Sequence, residues 1–243
     1  IYKRFIQLRH ELYLNTMASL VIGDNEYQVP SDLSLDKWLE LNKWTSNPIK
    51  FVSIGMDMPV VEAAKIPEET LALAAALLVA IMNPDWTPLK TKLWSHPLIS
   101  FPDLTLGQFI DLETYVSDYN KQLPNMVKVL YDIEDLDDVK LGDVYPSIKS
   151  YLAWRTSLYK QFARLFNIDD ETGEVIEDNK ATKSVGHIWM DITMTLANND
   201  FTKMDYVLGQ PIISALNWLA WNKDKQREEM ARIKKQKLQS KQR

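Results

Sequence analysis

Asp32-Leu-Ser-Leu-Asp-Lys-Trp-Leu-Glu-Leu41 and Asp103-Leu-Thr-Leu-Gly-Gln-Phe-Ile-Asp-Leu112 decide the fold class, because each spells a helix start in its own side chains. The two stretches stand seventy-one residues apart, share four of ten residues and differ conservatively at four more, and each follows a proline, Pro30 or Pro102. Ser34 and Thr105 are N-caps, whose hydroxyls accept from backbone N–H groups that the first helical turn leaves free. Leu33 and Leu104 precede the caps and can staple onto Trp38 and Phe109 one turn later, while Gln108 completes a capping box in the second copy. Two independently well-made helix starts or one duplicated module both produce this pattern. Either way it predicts helices over Leu35 to Trp44 and from Leu106 to about Asn120.

Upstream, Leu20-Val-Ile-Gly-Asp-Asn-Glu-Tyr-Gln-Val29 sets Gly, Asp and Asn between two short strand-forming runs, the pattern of a β-hairpin. Pro30 ends its second strand for want of an N–H. Phe5, Leu8 and Leu12 keep helical spacing in the first segment, although Tyr2, Ile6 and Tyr13 add a second stripe. Downstream, Pro67 with Glu68 and Glu69 opens a helix that runs to Met82 and stops before Asn83-Pro84. Asp85 to Pro102, with three prolines, Trp86 and Trp94, predicts an irregular connection. Tyr151, Trp154, Leu158, Phe162 and Leu165 form an amphipathic face within Ser147 to Phe166, and Val185, Ile188, Trp189, Ile192 and Leu196 form another. Ile168 to Ile176 between them predicts a polar turn or small hairpin. The last helix starts at Pro211, buries Ile212, Leu216 and Leu219, and leaves the core after Trp221. The expected fold is mainly α: a helical body over 1–221 with one small N-terminal β-hairpin, and a long charged C-terminal helix whose arm is 222–243.

Composition excludes several chemistries. The 243 residues contain no Cys, so thiolate nucleophiles, zinc ribbons and disulfides are ruled out. Seven scattered Gly form neither a dinucleotide fingerprint nor a phosphate loop. The longest apolar run, Leu71 to Met82, spans about 18 Å as a helix, too short for a hydrocarbon core of about 30 Å. Ile1 to Leu14 lacks the basic start, apolar run and cleavage site of a signal peptide.

Candidate chemical sites are few. His10-Glu11 has no second His at metal-binding spacing, His96 and His187 have no His partner one turn away, and Ser95 beside His96 is adjacency alone. Asp169, Asp170, Glu171, Glu174, Glu177 and Asp178 miss the glycine register of a calcium loop and read as a solvated turn. Asp132, Glu134, Asp135, Asp137 and Asp138 read as a turn or a docking surface for a basic partner. No catalytic, cofactor-binding or metal-binding residue is assigned. The concentrated feature is the arm, where nine Lys and Arg face three Asp and Glu in a chain of net charge −5, so the body is acidic and the tail basic. Lys223, Lys225, Arg227, Arg232, Lys234, Lys235 and Lys237 are the candidate partner-binding residues. Their partner is an acidic protein surface, such as a neighbouring subunit's loop near Asp132 to Asp138, or the phosphates of nucleic acid.

Three stretches carry a family resemblance: Leu20 to Leu41 with Tyr27-Gln-Val-Pro30, Leu104 to Tyr131, and Leu208 to Lys225 with Gln-Pro, Ala-Leu-Asn-Trp-Leu and Trp-Asn-Lys-Asp-Lys. Together, over about a third of the chain, they resemble helical virion structural or tail-assembly proteins of tailed bacteriophages, crAss-like phages included. The resemblance transfers no catalytic residue. It implies a non-enzymatic component of a particle at the head–tail junction, in the tail or among packaged cargo, located in the virion and, during assembly, in the host cytoplasm. Its partners are then other phage structural proteins or further copies of itself, with no membrane. The alternatives are a tail-assembly chaperone absent from the mature particle and an enzyme relying on carboxylates without a recognisable motif.

Overall fold

A computed structural model describes residues 19–84, 89–93, 95–166 and 185–241. The expected helix through Phe5, Leu8 and Leu12, the turn over Ile168 to Ile176 with its acidic cluster, and Trp86 and Trp94 lie outside the described residues. The chain is mainly helical, with eleven α-helices among the described residues and a small antiparallel hairpin near its start. It divides into two compact units: Ile1–Pro97 with Ile133–Ile148, and Leu98–Asp132 with Lys149–Arg243.

In the first unit, β1 (Ser19–Ile22) and β2 (Asn25–Gln28) pair antiparallel with Leu20 opposite Tyr27. Their two-residue turn takes positive φ at Gly23 and not at Asp24, the pattern of a II′ turn. The Tyr27 hydroxyl donates to the Glu62 carboxylate. Helix α1 (Leu35–Lys43) buries Leu35, Trp38 and Leu41, and the Trp38 indole donates to the Met82 carbonyl at 3.2 Å. Helices α2 (Pro48–Gly55), α3 (Val60–Ala63) and α4 (Glu68–Ile81) follow. A Cβ at Gly55 would stand 2.3 Å from a Leu78 methyl, so only glycine lets α2 and α4 approach this closely. The stretch expected to be wholly irregular holds a two-residue ribbon, β3 (Lys92–Leu93) against β4 (His96–Pro97).

The second unit contains α5 (Leu106–Val116) and α6 (Tyr119–Tyr131), so the helix expected to reach Asn120 breaks at Ser117–Asp118 and resumes. Helix α7 (Leu141–Gln161) gives its first eight residues to the first unit and the rest to the second. It begins six residues before the expected Ser147 and runs through Pro146. Burial of Leu141, Val144, Ile148 and Tyr151 on one face outweighs the single backbone bond that the proline removes. Then come α8 (Ala163–Phe166), α9 (Val185–Leu196), α10 (Met204–Leu208) and α11 (Ile212–Lys241).

Both capped helix starts form as their residues dictate. The Ser34 hydroxyl accepts from the Lys37 N–H at 3.3 Å. Thr105 accepts from Gln108 N at 3.1 Å, and the Gln108 amide oxygen accepts from Thr105 N at 3.0 Å, closing the capping box. Each cap also sits in an antiparallel bridge to a second helix start of its own unit, Ser34 to Lys140 and Thr105 to Pro211. Leu35 N donates to Val139 O at 3.3 Å and Leu141 N to Leu33 O at 2.8 Å. In the other unit Leu106 N donates to Gln210 O at 2.8 Å and Ile212 N to Leu104 O at 2.9 Å. Caps and bridge partners alike are seventy-one residues apart, so one clamp, tying α1 to α7 and α5 to α11, is built twice. In the first unit Asp32 adds to it, accepting from Leu33 N at 2.8 Å and Gly142 N at 3.1 Å.

Candidate functional site

Helix α11 enters the second unit through Ile212, Ala215 and Leu216, all buried, and then leaves it: from Asp224 to Gln236 every side chain is exposed. Lys223 stands at the change. Its ammonium donates to the Arg164 carbonyl at 2.7 Å and the Leu165 carbonyl at 3.4 Å. These carbonyls belong to the last residues of α8, at the negative end of the helix dipole, where a cation is favourable. Desolvation holds the Lys223 pKa below the usual lysine value, and the Arg227 charge lowers it further against the opposing effect of Asp224.

Beside Lys223 the end of α7, α8 and α11 enclose a cleft of about 270 Å³. Its charged lining is Lys160, Arg164, Lys223 and Arg227 with one carboxylate, Asp224, over a floor that includes Phe162. Arg227 and Asp224 pair at 3.6 Å in an exposed position, a contact worth little in water. Of the seven arm residues singled out in the sequence, the structure brings Lys223 and Arg227 to this cleft. Lys225 instead lies over the exposed Trp221 ring, 4.0 Å from its centre, and Arg232, Lys234 and Lys235 are exposed further along. Lys237 falls within the helical span of α11. Sequence reading missed Lys160 on α7 and Arg164 on α8, which lie about sixty residues upstream and join the cleft only through tertiary packing.

A second concentration of charge is buried between α5 and α7. Glu113, 4% exposed, accepts from Arg155 Nε, from Arg155 Nη2 at 2.7 Å and from the Tyr159 hydroxyl at 2.7 Å. Tyr151, Arg155 and Tyr159 share one face of α7 at four-residue spacing, and the guanidinium stacks on the Tyr159 ring, 4.7 Å from its centre. Burial, seconded by the Glu113 charge, pushes both tyrosine hydroxyls well above the usual phenol range. The Tyr151 hydroxyl feels that charge yet meets no partner at hydrogen-bonding geometry among the described residues. Phe109 packs edge-on against Trp154 and Trp189 alongside. Three donors converge on the one buried carboxylate, and this arrangement holds α5 to α7. Its signal was present in the sequence: Glu113 stands seven residues after Leu106, on the apolar stripe of α5.

The remaining candidates are dispersed. Asp132 and Asp138 occupy left-handed backbone positions and Asp135 accepts from Asp137 N at 2.9 Å, so these residues shape a turn. His96 lies in β4 and His187 in α9. No group of three metal-ligating side chains occurs among the described residues, and none of the described helices is long and apolar enough to cross a membrane. The chain matches no family model, no curated protein and no solved structure.

Proposed function

We propose that this chain is a non-enzymatic structural component of a tailed-phage virion, at the head–tail junction, in the tail or among packaged cargo, held by protein–protein contacts. The observation that carries the reading is α11, a thirty-residue helix whose side chains from Asp224 to Gln236 are all exposed among the described residues and serve as an arm for a neighbour. Helix α4 agrees with it. Apolar almost throughout, it buries Leu71, Ala74 and Leu78 and, among the described residues, leaves Leu73 and Val79 exposed, apolar side chains of the kind that subunit contacts bury. The partners are other phage structural proteins or further copies of this chain.

Quantitative mass spectrometry of purified particles beside the lysate of infected cells tests the proposal. A particle component is retained through gradient purification in fixed proportion to the major capsid subunit. A chain abundant in the lysate and absent from particles is a tail-assembly chaperone, and the structural reading is then wrong.

A further inference from the structure

We infer that the cleft between the end of α7, α8 and α11 is a phosphate-binding site that seats the phosphodiester backbone of a nucleic acid, and that the basic stripe of α11 extends it. Three observations converge. The cleft gathers Lys160, Arg164, Lys223 and Arg227 from three helices, with Asp224 the one carboxylate among the described residues of its lining. Lys160 and Arg164 are both exposed and line the cleft with their charged side chains. Lys223 is anchored on two main-chain carbonyls, which fixes the inner wall of the cleft.

The stripe continues in helical register. At about 100° per residue, Lys223, Arg227 and Lys234 fall within about 40° of one another on α11, spanning about 16 Å along the axis. Lys225 and Arg232 lie on the opposite side, about 180° away by the same arithmetic. Cations four and then seven residues apart on one side of a helix present positive charge along its length, to which a polyanion is complementary. Arg164 and Arg227 supply the planar forks that bind phosphate oxygens two at a time. Exposed tryptophans or tyrosines do not line the stripe, so contact is to the backbone, independent of base sequence.

The inference does not rest on the virion reading, because its test uses the isolated full-length chain. Fluorescence anisotropy with a labelled random-sequence DNA duplex and with a single-stranded RNA, at several salt concentrations, measures it. With four phosphate contacts, log K falls against log salt with a slope of about −3.6 on duplex DNA, roughly a hundredfold loss between 50 and 200 mM. Arg164→Ala with Arg227→Ala makes the slope shallower by about 1.8, whereas Lys225→Ala with Arg232→Ala leaves it unchanged. All four side chains are at the surface, and circular dichroism of each variant checks that the fold is kept. Tighter binding to the duplex or to the RNA identifies which nucleic acid the site takes, and either supports the inference. Three results overturn it: no binding to either probe at low salt, a slope reduced by the far-side pair and not by the cleft pair, or polyglutamate binding as tightly as DNA, which would assign the cleft to an acidic protein.

Discussion

Glu113→Gln separates a structural clamp from a ligand site. The carboxylate accepts three hydrogen bonds, two from Arg155 and one from Tyr159, at a position 4% exposed. In the amide, one oxygen becomes an NH₂ donor that faces either Arg155 Nε–H or the pair formed by Arg155 Nη2–H and Tyr159 O–H. At least one charge-assisted bond is lost, worth about 1.5–3 kcal/mol, and a guanidinium is left without its counter-charge. The Arg155 side chain keeps 28% exposure and can turn partly to water, so we expect about 2–3 kcal/mol for Glu113→Gln. Truncation to Ala removes the acceptor altogether and costs about 3–5 kcal/mol. At about 2–4 °C per kcal/mol in a chain of this size, Glu113→Gln lowers the melting midpoint by about 4–12 °C. Replacing both partners by apolar residues, Glu113→Leu with Arg155→Met, recovers most of the loss, because no unpaired charge remains. Melts followed by circular dichroism decide the matter. An unchanged or raised midpoint for Glu113→Gln would refute the reasoning, since a carboxylate kept for a ligand is held at the expense of stability.

Further outcomes follow from the same geometry. Ser34→Ala and Thr105→Ala each destabilise by about 1 kcal/mol, with Thr105 the more costly because its capping box is complete; neutral melts for both would show that the caps contribute nothing. Gly142→Ala places a Cβ 2.7 Å from an Asp32 carboxylate oxygen and costs about 1–3 kcal/mol, and Asp32→Gly in the same chain relieves part of it; no relief would mean that the two residues do not meet. Tyr151 and Tyr159 have pKa values raised in the folded chain, so the stability they contribute is full below the unfolded value of about 10 and is lost as pH rises beyond it. Alkaline titration followed by phenolate absorbance, compared with Tyr151→Phe and Tyr159→Phe variants, should therefore show that these two tyrosines ionise only with unfolding, and ionisation of either with the exposed tyrosines would contradict the buried clamp.

What the sequence made legible is local. The caps at Ser34 and Thr105 depend on residues within one turn, and both form as read. The hairpin at Gly23 is legible for the same reason. The bridges that join those caps to Val139–Leu141 and Gln210–Ile212 are main-chain contacts between distant segments, and no side chain announces them. Pro146 hid the first turn of α7, because a proline reads as a stop unless the burial of Val144 and Ile148 is known. The arm was visible as composition, but its division into a cleft-facing pair and a far side needed the position of α8. Glu113 went unread, although its place on the apolar stripe of α5 is a local signal, and its partners on α7 leave no local trace at all.

The copy number of this chain per purified particle tests the central claim most directly. A structural component of a symmetric assembly is present in a fixed number that does not change between preparations or with the stringency of washing. Absolute quantification by isotope-labelled peptides against the major capsid subunit gives that number. The account predicts a constant, non-zero value that survives high-salt washing; a value that falls toward zero as particles are purified would contradict it.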